Sequence, residues 1–232
     1  MKWVFEWADR NDGNMSLVWE EETSVNMNRK QWLDQLGIKP EDCVKLSLLG
    51  KSSFREVGKK DAGKMYEADA LVTREDGVPL FMVVGDCFPV GIFDPVKNFL
   101  ALAHLGRQGT TEKLVVKVVE KLKKMGSRPQ NLRVKIGPGI RKESYKFSPE
   151  ELAKRIDPKD MGWKPYLEDD GKGWVKIDLV GYLKKQLKDG AVEEENIEDC
   201  GIDTKSDINY FSHYRDRGGD KGRFGVVTMI RK

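Results

Sequence analysis

Histidine and cysteine are scarce in this chain, whose 232 residues include two histidines and three cysteines. The cysteines stand at positions 43, 87 and 200, and an odd number of them does not favour a disulfide framework. In a chain so poor in both residue types, a histidine placed close to a cysteine needs an explanation.

Long hydrophobic runs and an excess of one charge are also absent. The longest apolar runs, such as 81–84 and 99–104, are far too short to span a bilayer, and the N-terminal MKWVFEWADR lacks the apolar stretch of a signal peptide. The 41 basic and 38 acidic residues nearly balance, which gives no strong electrostatic reason to expect nucleic acid. We expect a cytoplasmic protein that binds neither membrane nor nucleic acid.

Apolar patterning predicts a mixture of strands and helices. Strands are predicted at 2–8, 43–49, 80–84, 89–94 and 99–104, and helices from Asn26 or Asn28 to Leu36 and from Thr110 or Thr111 to about Gly126. The last three strands are almost wholly apolar, which is typical of a sheet buried on both faces. Hairpins do not fit a simple parallel βαβ series. We therefore predict an α/β (α+β) fold over residues 1–232, a single-domain layered sandwich with a mixed sheet.

Cys87 and His104 lie at the ends of two strands that are predicted to form a hairpin. If residues 94 and 98 are directly opposite each other at the turn, residue 87 lies near residue 105 on the neighbouring strand. The thiol then comes within reach of the imidazole, unless the register slips by one residue. The pair has three interpretations: ligands for zinc or copper, a nucleophile with its base, or a buried cysteine and a hydrogen-bonded histidine. Their position at strand ends beside glycines favours a site.

Two further segments carry candidate binding residues. LGRQGTTEK, at 105–113, leads into a helix, where Arg107 and the amides near Thr110 could hold phosphate, although an ordinary capped helix start has the same pattern. FSHYRDRGGDKGRFG, at 211–225, offers Tyr214 and Arg215 to a base or a phosphate, or is a solvated loop. The residues alone leave these alternatives open.

Five blocks of sequence occur together in a recognisable order. They are EADALVT, GDCFPVGIFDP, LALAHLGRQG, KIGPGIRKESYKF and YFSHYRDRGGDKGRFG. In order and spacing they resemble the bacterial laccase-domain family, also called the polyphenol oxidoreductase or peptidoglycan-editing-factor family. The resemblance covers essentially the whole chain.

The resemblance implies a fold related to the catalytic domain of cytotoxic necrotising factor, which uses a Cys–His pair. Members of the family are assigned zinc, or by older accounts copper, held by two histidines and a cysteine. Their assigned activities are purine nucleoside phosphorolysis, adenosine deamination, methylthioadenosine phosphorolysis, editing of peptidoglycan precursors and, as an older label, laccase activity. The expected partners are a purine nucleoside and phosphate, bound by a monomer or a homodimer.

By position, Cys87 and His104 match two of the three metal ligands of the family. The third ligand falls at about Leu49, which has no donor atom, so His213 or Glu143 would have to replace it if Zn²⁺ or Cu²⁺ is bound. The leading hypothesis is a purine nucleoside phosphorylase or adenosine deaminase type of enzyme in which Cys87 and His104 are catalytic. The alternatives are a metal-independent Cys–His hydrolase or amidase that acts on a peptidoglycan precursor, and a degenerate, non-enzymatic member of the family.

Overall fold

Strands make up most of the regular structure. The computed structural model describes residues 2–48, 50, 52–157 and 159–231. The strands are β1 Lys2–Trp7, β2 Val44–Ser47, β3 Phe54–Glu56, β4 Met65–Glu67, β5 Ala70–Thr73, β6 Leu80–Val84, β7 Phe88–Asp94, β8 Phe99–Leu105, β9 Arg133–Ile136, β10 Lys146–Phe147, β11 Leu167–Asp169, β12 Val175–Ile177, β13 Ile197–Asp199 and β14 Phe224–Arg231. The helices are α1 Glu22–Gln35, α2 Arg107–Thr111, α3 Leu114–Lys124, α4 Pro149–Ala153 and α5 Leu179–Asp189. Within these residues, no helix is long and apolar enough to cross a membrane.

Two larger sheets and one small sheet contain these strands. The first sheet has the order β1-β14-β6-β2-β4, and the second has the order β13-β9-β7-β8-β5-β3. Strands β10, β12 and β11 form the third sheet. Parallel pairs such as β2–β6 occur beside antiparallel pairs such as β14–β6. The predicted α/β class with mixed sheets is therefore confirmed.

Each face of the second sheet covers a separate hydrophobic core. Leu100 and Leu102 of β8 pack with residues of the first sheet, such as Phe81 and Val227, so this core lies between the two sheets. Ala101 and the alternate residues that follow it on β8 face the opposite way and pack with α3 and α5. Side chains of β8 enter the two cores alternately, because successive side chains of a strand point to opposite sides of the sheet. Burial of each Leu, Val or Phe side chain contributes roughly 1.5–3 kcal/mol.

The β7–β8 hairpin has a register that differs by one residue from the predicted one. Asp94 pairs with Phe99 rather than with residue 98, and Pro89 is opposite His104. Paired residues of an antiparallel ladder point to the same side, and Cys87 precedes Pro89 by two residues. The observed register therefore brings Cys87 and His104 to one face, whereas the predicted register would have placed them on opposite faces.

Helix boundaries also differ from the sequence prediction. Helix α1 begins at Glu22, before either asparagine proposed as its cap. The helix expected to start at Thr110 or Thr111 is two helices, because Lys113 adopts a left-handed conformation with φ of 57° between α2 and α3. The polypeptide therefore turns immediately after β8, and Arg107 rather than Thr110 is the first residue of the helix there.

Candidate functional site

A cavity of about 450 Å³ opens where the two larger sheets meet α2 and the loop that precedes β14. Its walls include Cys87 from the turn after β6, His104 from the end of β8, Arg107 from α2 and His213 from the loop. We call this space the inner cavity. Residues from four separate parts of the chain thus converge on it.

Cys87 and His104 both contact Gly106, the residue that joins β8 to α2. A Cβ atom on Gly106 would lie 2.7 Å from Cys87 Sγ and 3.8 Å from His104 Cε1. The thiol and the imidazole therefore approach the same point of the backbone, and a side chain at position 106 would collide with the Cys87 sulfur. The His104 amide donates a hydrogen bond to the Asp69 carbonyl oxygen at 2.8 Å, which fixes the end of β8.

Burial makes the uncharged forms of this pair the stable ones. It raises the pKa of the Cys87 thiol to about 11, an effect that the negative charge of Asp86 increases and the guanidinium groups of Arg223 and Arg107 oppose. Burial also lowers the pKa of His104 to about 4, against the nearby charge of Asp69 and with the help of Arg223. At neutral pH the site therefore holds a thiol and a neutral imidazole rather than a thiolate and an imidazolium.

Arginine side chains supply positive charge to the inner cavity, whose walls include Arg107, Arg155, Arg217 and Arg223. Arg107 donates a hydrogen bond to the Arg155 carbonyl oxygen. The Arg223 guanidinium lies 4.5 Å from the centre of the Trp19 ring, and burial lowers its pKa. Planar guanidinium groups that converge on one space suit a phosphate oxyanion.

Aromatic rings form another wall of the inner cavity. Tyr145 and Tyr214 line it, with ring centroids 5.5 Å apart in an edge-to-face arrangement, and Phe147 packs behind both at 5.0 and 5.6 Å. Arg217 covers Tyr214 with its guanidinium 4.3 Å from the ring centre. Such a wall offers a planar base an apolar contact surface.

Asp86 connects the turn after β6 with the loop that carries Tyr214. Its carboxylate accepts a hydrogen bond from Thr204 Oγ1 at 2.7 Å and another from the Tyr214 amide at 2.8 Å. Asp86 is itself buried, so these bonds satisfy a charge that water reaches poorly. Sequence reasoning missed this residue, although its position directly before Cys87 was a usable signal.

Thr110, Arg215 and Glu143 lie elsewhere than the sequence predicted. Within the described residues, none of them lines the inner cavity. Thr110 is buried and donates through both its amide and its hydroxyl to the Gly106 carbonyl oxygen, at 3.0 Å each.

The side chains of Arg215 and Glu143 form contacts within a loop and at the surface, respectively. Arg215 donates to the carbonyl oxygens of Thr204, Lys205, Asp207 and Tyr210 and to the Asp216 carboxylate. These bonds hold its own loop together. Glu143 is exposed and forms an ion pair with Lys176 at 2.7 Å.

The donor set of the inner cavity does not fit a zinc or copper ion. Among the residues that the structure describes, no group of three or more His, Cys, Asp or Glu side chains is arranged to hold a metal. The expected position of the third ligand, Leu49, lies outside the described residues, and a leucine carries no donor. Arg107 and Arg223 act electrostatically on Cys87 and would repel a cation there. His213 lines the same cavity, but with Cys87 and His104 it does not complete such a group.

Comparison with known proteins identifies the family. The model of the multi-copper polyphenol oxidoreductase laccase family matches residues 8–231. The chain therefore belongs to this family, as its sequence blocks indicated.

Several curated relatives of the chain are named purine nucleoside phosphorylase. A purine nucleoside phosphorylase of Corynebacterium glutamicum is 28% identical over 93% of this chain and 85% of its own length. A purine nucleoside phosphorylase of Deinococcus radiodurans is also 28% identical, over 90% of this chain and 78% of its own length.

Solved structures have the same fold. Bacillus licheniformis YfiH superposes with a TM-score of 0.89 over 99% of this chain and 93% of its own, at 23% identity. YlmD from Geobacillus stearothermophilus superposes with a TM-score of 0.83 at 26% identity, over 94% of this chain and 85% of its own.

Proposed function

We propose that the inner cavity binds a purine nucleoside together with phosphate and catalyses phosphorolysis of the nucleoside. The observation that carries this proposal is the meeting, in one cavity, of an aromatic wall, several arginines and the Cys87–His104 pair. The relatives named purine nucleoside phosphorylase support the choice of reaction.

Phosphorolysis needs one bond to break and one to form at the same ribose carbon. A phosphate oxygen attacks C1′ while the C1′–N9 bond breaks, and the purine takes the bonding electrons. The proton that hydrogen phosphate loses is transferred, in net terms, to the departing purine, so the products are ribose 1-phosphate and the free base. Positioning the two reactants and stabilising their charge are the main contributions that a protein can make.

Different residues of the inner cavity position the two reactants and stabilise their charge. Arg107 and Arg223 hold the phosphate, while Tyr145 and Tyr214 contact the purine. His104 in its neutral form has one N–H donor and one acceptor nitrogen, so it can pass a proton between phosphate and base without becoming charged for long. The Cys87 thiol lines the same cavity and approaches Gly106 together with the imidazole.

The other activities of the family receive less support. Deamination of adenosine usually relies on a hydroxide activated by a metal, and the donor set of this cavity does not fit one. A Cys–His hydrolase works best with a thiolate, whereas burial raises the pKa of the Cys87 thiol to about 11. A degenerate, non-enzymatic role would not require the cavity to retain its arginines and its Cys–His pair.

A product analysis tests the proposal. The purified protein is incubated with adenosine, guanosine, inosine or methylthioadenosine, with and without phosphate and in the presence of a chelator, and with uridine as the control nucleoside. We expect free purine and an equal amount of ribose 1-phosphate, only when phosphate is present. Free ribose instead would show hydrolysis, inosine from adenosine would show deamination, and no product from any purine nucleoside would refute the proposal.

A further inference from the structure

A second, more open space adjoins the inner cavity. This outer cleft, of about 600 Å³, is lined among others by Lys146, Lys172, Trp174 and Lys205. Tyr214 and Arg217 line both the outer cleft and the inner cavity, so the two spaces share a wall. A ligand that fills the inner cavity can extend past these two side chains.

Cations predominate in the outer cleft. The lining contains four cationic side chains, those of Lys146, Lys172, Lys205 and Arg217, and two carboxylates, those of Glu151 and Asp170. One of the carboxylates is engaged already, because Asp170 forms an ion pair with Lys146 at 3.5 Å and accepts hydrogen bonds from backbone amides. The remaining imbalance favours an anionic ligand group over a cationic one.

The positions of the cations suit a group at the boundary between the two spaces. Lys205 Nζ lies 5.7 Å from the centre of the Tyr214 ring, and the Arg217 guanidinium lies 4.3 Å from it. Lys205 Nζ also donates to the Ser144 carbonyl oxygen at 3.0 Å, which holds the ammonium close to this boundary. Two positive groups beside the half-buried Tyr214 ring can contact a phosphate while the ring contacts the nucleoside.

Trp174 adds an aromatic surface to the outer cleft. Trp174 is 45% exposed, so its ring is accessible to a ligand that enters the cleft. The ring lies in the same cleft as the lysines, so an anionic ligand that enters would change its environment. Tryptophan emission is therefore a direct probe of occupancy.

We propose that the outer cleft binds the phosphate of a phosphorylated purine nucleoside, such as a nucleoside 5′-monophosphate, whose base and ribose occupy the inner cavity. This inference rests on the proposed function, because it assigns the inner cavity to the nucleoside part. Cleavage of such a ligand by phosphate breaks the same C1′–N9 bond and forms the same C1′–O bond. The products are the free purine, which receives the proton of the attacking phosphate, and ribose 1,5-bisphosphate.

Binding measurements with matched ligands and variants test the inference. Adenosine, AMP and pyrophosphate are titrated into the wild-type protein and into the Lys172→Ala/Lys205→Ala variant, whose two lysines line the outer cleft but not the inner cavity, with calorimetry and tryptophan emission as readouts. The control is the Lys30→Ala/Lys60→Ala variant, whose lysines are exposed and lie outside both spaces. Trp174→Phe identifies the emission change that arises in the outer cleft.

We expect AMP to bind roughly tenfold more tightly than adenosine at low salt, and most of this preference to disappear in the Lys172→Ala/Lys205→Ala variant but not in the control. Adenosine affinity should be the same in all three proteins. Equal affinities for AMP and adenosine, an equal loss in the control, or equally tight binding of pyrophosphate would overturn the inference. If adenosine is cleaved but AMP is not preferred, only this inference fails; if neither ligand binds, the proposed function fails with it.

Discussion

Cys87 and His104 reach Gly106 from two different segments, and burial leaves both side chains uncharged at neutral pH. A leucine, which carries no donor atom, stands at position 49, where the resemblance to the family leads us to expect a third metal ligand. The arginines around the pair suit an anion better than a metal ion. At the scale of single residues, the donor set and the arginines of the described residues fit an anion site better than a zinc centre.

The reactivity of Cys87 follows from its pKa. With a pKa of about 11, about one thiol in ten thousand is ionised at pH 7, so alkylation should be slow there and accelerate up to about pH 11. Iodoacetamide labelling followed by residue-resolved mass spectrometry measures this profile, with Cys200 as the internal reference. Fast labelling of Cys87 that is already maximal below pH 8 would contradict the neutral pair.

A third donor at position 49 should create a metal site. The resemblance to the family leads us to expect its third ligand there, so the Leu49→His variant should bind Zn²⁺ at least about a hundredfold more tightly than the wild-type protein, because three protein ligands hold zinc much better than two. Equilibrium dialysis with zinc analysis measures both affinities. Stoichiometric, tight zinc in the wild-type protein would show that another donor completes the site.

At the scale of elements, the two larger sheets approach closely at Gly91 of β7. A Cβ atom at this position would lie 2.8 Å from Phe5 Cδ2 and 2.9 Å from Trp3 Cζ2 of β1. Gly91→Ala must therefore displace these two packed rings and should lower the free energy of unfolding by about 1–3 kcal/mol. Urea unfolding tests this against Gly218→Ala, where the new methyl group has open space, and equal stabilities of the two variants would refute it.

Asp86 joins the turn after β6 to the loop that carries Tyr214. Asp86→Ala removes the acceptor of two hydrogen bonds, so the free energy of unfolding should fall by about 2–3 kcal/mol and KM for the nucleoside should rise as the Tyr214 wall loosens. Thermal unfolding and steady-state kinetics measure the two effects. The exposed Asp42→Ala serves as the control, and a variant as stable as this control would argue against the connection.

At the scale of the whole molecule, the sequence predicted the mixed sheets and the family better than it predicted the site. Continuous apolar runs made the β6, β7 and β8 strands recognisable, because both faces of that part of the fold are buried. The predicted hairpin register was wrong by one residue, because the Asp94 side chain accepts hydrogen bonds from the turn and Asn98 is left-handed, which makes a four-residue loop and pairs Asp94 with Phe99.

The binding residues were harder to predict because they depend on tertiary contacts. Arg215 has the charge that a phosphate needs, but its loop folds back so that backbone carbonyl oxygens take up the guanidinium. Arg223 lines the cavity instead, although nothing in its local sequence distinguishes it from Arg215. Only the convergence of β6, β8, α2 and the loop before β14 decides which arginine faces the ligand.

The inner cavity is the part of the molecule on which the proposed function depends, and variant kinetics test it most directly. The measurement is kcat/KM for the phosphorolysis of adenosine in the wild-type protein and in His104→Ala and Cys87→Ala, with Cys200→Ala as the control outside the cavity. Thermal unfolding verifies that each variant is folded.

We expect His104→Ala to lower kcat/KM by roughly a hundredfold or more, as is usual when a proton-transfer group is lost, and Cys87→Ala to lower it by less. Cys200→Ala should retain the wild-type value. Wild-type kcat/KM in a folded His104→Ala variant would contradict the assignment of phosphorolysis to this cavity.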